Sequence, residues 1–219
     1  MMTPRVILWD WNGTLLDDLR YAIGVRNRVF PRFGLPGVAD IQTYYEQFTF
    51  PVRLYYERAG VTEGNFVQVA NAWMDEYLAN CHTVPLFDDA LFALDSFQDA
   101  GCMQIVLSAS KEDNLKQQLE NAGILDRFAA VLGLSHIYAT DKTDLARAWL
   151  LETNTDPTDC VLLGDTTHDA DVADSLGMGC VLIARGHMSR NRLLLTGHPV
   201  CDSLTQATAL VLGRKPETV

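Results

Sequence analysis

The chain has 219 residues, 48% of them hydrophobic, enough for one large domain or a core with a smaller insert, and too apolar for a disordered chain. Its formal net charge of −11 excludes nucleic acid as the main ligand, which calls for a basic face, but leaves room for a small phosphorylated substrate. Five scattered cysteines without a C-x-x-C pair fit reduced thiols, and no stretch reads as a signal peptide or membrane span; a cytoplasmic protein with no membrane partner is expected.

In chain order, Val6–Trp9 is a short apolar run that reads as a strand buried on both faces, ending at Asp10. Asn12-Gly13-Thr14 then supplies a tight turn. From about Asp17 to Pro85 no strand is evident. Helix-like pieces are expected at Asp18–Phe33, Ile41–Phe48, Val52–Ala59 and Glu63–Asn80, punctuated by Gly34-Leu35-Pro36-Gly37 and Gly60. This is an all-helical insert after the first strand. Apolar runs resume at Gln104–Leu107, Ala130–Leu134, Val161–Leu163, Cys180–Ala184 and, weakly, Val200–Cys201. Helices are expected between the later ones, at Asp113–Asn121, Thr143–Glu152 and Ala170–Leu176, the first and last stopped by Gly123 and Gly177. Such alternation implies an α/β fold with a parallel sheet and helices on both sides.

Function in open α/β sheets gathers at the carboxyl ends of the strands. There the sequence sets Asp10 after the first strand, Ser108 after the second, and Gly164-Asp165 followed by Asp169 after the fourth; Lys142 falls in the connection from the third to the fourth. Clustered carboxylates repel unless a cation holds them, and hard oxygen ligands suit Mg²⁺. Taken singly, each of these residues reads as a turn, cap or surface residue.

In this order and spacing they resemble the haloacid dehalogenase superfamily, chiefly its phosphatases of the phosphoglycolate phosphatase type. The first motif, Asp-x-Asp-x-Thr, is matched by Asp10-Trp11-Asn12-Gly13-Thr14 with one departure. The second is matched by Ile105-Val106-Leu107-Ser108, the third by Lys142, and the fourth by Gly164-Asp165-Thr166-Thr167-His168-Asp169. The resemblance implies a Rossmann-like three-layer core (residues 1–16 and 86–219) and a helical cap (17–85), hinged near residues 15–18 and 83–86. It implies a small phosphorylated substrate, with Asp10 as the nucleophile that forms an aspartyl-phosphate. Mg²⁺ would be held by Asp10, Asp165 and the backbone carbonyl of Asn12, with Asp169 in support. Ser108, with Ala109 beside it, would bind the phosphoryl group, and Lys142 would offset charge on both Asp10 and phosphate.

Asn12 stands where the family has the aspartate that protonates the leaving group and later deprotonates water. An amide can do neither, a loss of ~10²–10⁴-fold where such help is needed. His168, beside Asp169, is one candidate to carry that proton. A phosphonate-cleaving route through a cap lysine is closed, because no lysine precedes Lys111. In the insert, Arg53 is the candidate to clamp a second anionic group of the substrate. The alternative function is a catalytically weak phosphate-sensing or regulatory protein on the same fold.

Overall fold

A computed structural model of the protein describes residues 4–135 and 142–214. Residues 1–3, 136–141 and 215–219, part of the expected core, lie outside the described residues. The elements run β1 (Val6–Trp9), α1 (Leu19–Val29), α2 (Ile41–Gln47), α3 (Val52–Arg58), α4 (Phe66–Asn80), α5 (Ala90–Asp99), β2 (Met103–Lys111), α6 (Glu112–Asn121), β3 (Ala130–Leu134) and α7 (Lys142–Thr153). They continue with β4 (Cys160–Gly164), α8 (Thr167–Leu176), β5 (Gly179–Ile183), α9 (Arg190–Leu194), β6 (Val200–Cys201) and α10 (Leu204–Val211).

The six strands form one sheet in the order β3-β2-β1-β4-β5-β6, and every pairing is parallel. The expected Rossmann-like α/β core is therefore present. Its apolar runs are continuous because both faces are covered. Side chains alternate across the pleat. Ile7 and Trp9 enter an apolar cluster with Leu94, Phe97, Val106, Leu115 and Leu204, contributed by β2, α5, α6 and α10. Val6 and Leu8 enter a second cluster with Leu107, Trp149, Leu162 and Ala173, contributed by β2, α7, β4 and α8. Ile7, Leu8 and Trp9 are fully buried, and an aliphatic side chain buried in this way contributes roughly 1.5–3 kcal/mol.

Two features of this sheet place the site. The chain winds from β1 outward through β2 to β3, then returns across β1 to β4, so strand order reverses at the β1–β4 boundary; ligands bind in open α/β sheets at that crevice. The Asp10 amide donates to the Leu163 carbonyl at 2.9 Å, carrying the β1–β4 pairing one residue past the strand.

Between β1 and α5 the chain is helical, as expected, and its buried residues form their own apolar cluster, including Val25, Val29, Phe30, Tyr44, Tyr55, Tyr56, Val69 and Tyr77. Its two connections to the sheet run side by side: Asp17 N–H donates to Pro85 O, and Phe87 N–H to Leu15 O, both at 3.0 Å. Boundaries shift modestly from the sequence reading. The first helix gives way to a 3-10 turn at Phe30–Phe33, α4 begins at Phe66, and α5, α9 and α10 are additional. β2 is the largest difference. It runs on to Lys111, with its register to β3 slipping between Leu107 and Lys111. No helix among the described residues is long and apolar enough to cross a membrane, and all five cysteines are free.

Candidate active site

Asp10 leaves β1 into a turn closed by the Gly13 N–H to Leu16 O bond of 3.0 Å. Gly13 has φ +78° there, and a Cβ on it would lie 2.3 Å from Asp165 Oδ2. Glycine is required on both counts, backbone conformation and space. Gly186 is held by space alone: its Cβ would come within 2.0 Å of the same oxygen. The two glycines thus let the β1 turn and the loop after β5 close on Asp165.

The carboxylates converge as expected. Asp10, Asp165 and Asp169 each offer an oxygen within 4.8 Å of the others, and all three are buried. Asp10 Oδ1 accepts from Lys142 Nζ, and its Oδ2 accepts from Thr14 Oγ1 at 3.1 Å. Lys142 also donates to Asp169 Oδ1 at 2.8 Å. It is 3% exposed and is the first residue of α7, so the helix rather than a loose connection aims it. Asp169 lies in the first turn of α8, where its Oδ2 accepts from the Thr166 amide (3.1 Å) and hydroxyl (2.6 Å) in a capping box. Asp165 Oδ2 accepts the backbone N–H of His187.

The electrostatics follow from burial with few cations. Burial raises Asp10 to about 6, partly opposed by the Lys142 charge and its bond. Asp165 is pushed well above the usual carboxylate range by burial and by Asp10 and Asp169. Burial also acts on Asp169, but Lys142 and the Thr166 bond outweigh it and hold that group low.

Ser108 is buried just past the apolar stretch of β2, accepting from the Ser110 amide at 3.1 Å; Ala109 follows it, half-buried, where the slipped register takes 108–110 out of step with β3. Arg53 is not brought to this cluster. Its side chain, 51% exposed on α3, pairs with Glu57 (3.4 Å) and Glu63 (3.3 Å) and lies over the Phe66 ring. The His168 ring stacks on Phe50 at 4.7 Å. α8 starts at Thr167, so His168 is a helical residue rather than part of an extended loop.

A second buried group was not visible in the sequence. Asn12 Nδ2 donates to Asp18 Oδ2 and to Tyr77 Oη, both at 2.8 Å, while Asn12 Oδ1 accepts from Ser110 Oγ at 3.1 Å. The Tyr77 hydroxyl donates to Asp18 Oδ2 at 2.8 Å. Asp18 Oδ1 meets His187 Nε2 at 3.0 Å, and His187 Nδ1 meets Tyr44 Oη at 2.8 Å. Burial alone would lower His187, but Asp18 outweighs it and raises the imidazole to about 9; Asp18 in turn is held low by His187 despite its own burial. His187 follows β5 at the carboxyl edge, so the rule that flagged Ser108 and Asp165 would have found it. Asp18, Tyr44 and Tyr77 carry no such local signal.

Comparison with known proteins agrees with this geometry. Residues 7–183 match the model of the haloacid dehalogenase-like hydrolase family. Phosphoglycolate phosphatase of Synechococcus elongatus is 24% identical over 197 residues, 87% of this chain and 88% of that protein. The tyrosine-protein kinase PtkA of Mycobacterium tuberculosis is 24% identical over 192 residues, covering 84% of this chain and 64% of the kinase. A solved haloacid dehalogenase-like family protein from Streptococcus pneumoniae superposes with a TM-score of 0.84 at 18% identity, over 96% of this chain and 99% of its own. With the family's motifs at the carboxyl edge of its parallel sheet, the chain belongs to the haloacid dehalogenase-like hydrolases.

Proposed function

We propose that the protein is a magnesium-dependent phosphatase of a small phosphorylated metabolite, working through an aspartyl-phosphate on Asp10 in the cytoplasm. One observation carries this reading. Four buried carboxylates, Asp10, Asp18, Asp165 and Asp169, meet two buried cationic groups, Lys142 and His187. With all four carboxylates ionised the surplus would be two negative charges, which one divalent cation cancels; without a cation, burial and the neighbouring carboxylates favour a proton on Asp165. An all-oxygen donor set of this kind fits Mg²⁺.

Asp10, Asp165 and the Asn12 carbonyl would hold the metal directly. Asp169, whose oxygens accept from Lys142 and Thr166, would orient the lysine and support the metal directly or through water. When bound, Mg²⁺ supplies charge neutralisation at the phosphoryl oxygens. Residues 17–85 act as the cap over a core made of residues 1–16 and 86–219.

The remaining steps belong to the protein. Buried Asp10, at about 6, is ionised at neutral pH yet poorly solvated, which suits a nucleophile. Its oxygen attacks phosphorus, the ester P–O bond breaks, and the leaving oxygen takes a proton from water, since the Asn12 amide cannot supply one. Water then cleaves the acyl phosphate and restores Asp10. Lys142, Ser108 and the main chain at Ala109 hold the phosphoryl oxygens, the dominant contribution in such transfers. Arg53, already held by Glu57 and Glu63, has no part in this scheme. The likeness to a phosphoglycolate phosphatase supports a small substrate.

The test is release of phosphate from p-nitrophenyl phosphate with Mg²⁺ and with EDTA, by wild type and Asp10→Asn. Turnover that needs both the metal and Asp10, with near-unchanged melting of the variant, is expected. Activity surviving in EDTA, or more than a few per cent surviving in the variant, refutes the mechanism. Mg²⁺-dependent phosphate binding without turnover on any ester would mark a sensor instead.

A further inference from the structure

We propose that Asp18 is a positioning residue to which the amide at position 12 is matched. Asn12 and Asp18 then act as one unit, divided between the sheet edge and the helical segment. The hydrogen bonds define the unit. Both polar atoms of the Asn12 side chain are engaged: Nδ2 by Asp18 and Tyr77, Oδ1 by Ser110. Asp18 is 2% exposed and spends one oxygen on Asn12 and Tyr77 and the other on His187. Asp18 and Tyr77 belong to the helical segment, and Asn12, Ser110 and His187 to the sheet edge. The amide at position 12 is therefore one point where the two parts of the chain are joined, through part-buried polar contacts, beside the buried Asp18–His187 and Tyr44–His187 contacts.

A carboxylate at position 12 would set an oxygen where Nδ2 now lies, 2.8 Å from Asp18 Oδ2. Two like charges at that distance in this part-buried contact repel, and the site must take up a proton or open. Asn12 is thus the neutral partner that Asp18 requires, rather than an isolated loss of an acid. An aspartate at 12 becomes compatible only when position 18 is neutral. In the exchange of Asn12→Asp with Asp18→Asn, the new amide at 18 donates to the carboxylate at 12. Its carbonyl oxygen still accepts from His187 Nε2–H, and Tyr77 still donates. Every bond of the unit has a counterpart.

The experiment is a double-mutant cycle of wild type, Asn12→Asp, Asp18→Asn and the exchange. Its first readout is melting in EDTA without substrate, which does not depend on the phosphatase reading. Asn12→Asp is expected to lower Tm by at least about 4 °C in the wild-type background and by less than half as much in the Asp18→Asn background. Equal losses in both backgrounds overturn the proposal. The second readout, which does rest on that reading, is turnover of an alkyl phosphate with Mg²⁺. The exchange is expected to exceed Asn12→Asp in kcat by roughly tenfold or more, within the range of acid–base help, with KM little changed. Asn12→Asp alone matching the exchange in both kcat and Tm overturns it. Coupling in melting with no turnover by any variant upholds the Asn12–Asp18 unit and rejects the phosphatase reading. If Asn12→Asp does not fold, the cycle of Asn12→Ala and Asp18→Ala decides: Tm losses that fall short of additive by about 4 °C uphold the unit, and additive losses overturn it.

Discussion

Lys142 divides one ammonium between Asp10 and Asp169, and the consequences are legible in pH. Asp10 in the folded protein sits at about 6, raised by burial, and Asp165 is raised as well. A raised carboxylate binds its proton more tightly folded than unfolded. Metal-free protein should therefore gain stability from Asp10 as pH falls through about 6 toward 3.8, and from Asp165 in the same direction, the sign opposite to an ordinary paired aspartate. Mg²⁺ has to displace those protons, so the rise in Tm on adding Mg²⁺ should be larger at pH 7.5 than at pH 5. A Mg²⁺ effect that is flat or reversed across this range would show that these carboxylates do not hold it. His187 behaves the other way. Raised to about 9 by Asp18, it contributes stability that is fully present below about 6.5 and lost as pH climbs to about 9. Melting across that alkaline window should flatten in His187→Gln and stay sloped in His168→Gln. The motif residues Asp10, Asp165, Asp169 and Lys142 could be read from order along the chain because each follows or precedes a strand. The Asp18–His187 contact joins residues 169 positions apart, and nothing local announces it.

The elements were read well where a single periodicity governs them and poorly where a side chain sets the boundary. β1 and β3 are apolar runs with clear ends, and the structure keeps their limits. α8 begins three residues before its expected start because Thr166 and Asp169 cap it reciprocally, which makes His168 helical and stacks it on Phe50. β2 extends past Leu107 because its slipped register with β3 keeps the strand going without regular apolar residues. Glycine separates the two kinds of constraint that elements place on the site. Gly177 stops α8 at φ +75°, and a Cβ there meets nothing within 4 Å. Gly186 has no positive φ, but a Cβ there collides with Asp165 Oδ2 and with the Gly13 carbonyl. Gly177→Ala should thus cost about 1 kcal/mol in stability, seen as a Tm lowered by a few degrees, with the Mg²⁺ requirement unchanged. Gly186→Ala should raise the Mg²⁺ needed for half-maximal activity by about tenfold or more, since Asp165 must move. If the two alanine variants gave the same pattern, close approach to Asp165 would not be what Gly186 provides.

At the scale of the whole molecule, two sets of polar contacts among the described residues tie the helical segment to the sheet besides its paired connections. One is the buried unit around Asn12 and Asp18. The other lies on the far side of α2, where Arg192 of α9 donates to the Tyr45 carbonyl at 3.0 Å and the Phe48 carbonyl at 2.5 Å. Those carbonyls belong to the end of α2, which lacks intrahelical donors, so the guanidinium both caps the helix and fastens it to the core. The Tyr45 hydroxyl adds a bond to the Gly186 carbonyl at 3.1 Å, next to the loop that meets Asp165. That an all-helical insert would follow β1 was clear from its missing strands. That α2 would be its contact with the loop after β5 was not, because the signal is a long side chain reaching main-chain oxygens across about 145 residues. If these bonds keep the segment closed, Arg192→Ala should open it. Asp17 N–H and Phe87 N–H, which bond across the two connections, should then exchange hydrogen faster, while amides of β1 and β4 stay protected. Activity should fall with the closed fraction, and Arg192→Lys, which keeps a charged donor nitrogen on a shorter side chain, should lie between. Faster exchange throughout the sheet would mean that Arg192 supports the core itself, and unchanged exchange at both amides would remove Arg192 as the tie.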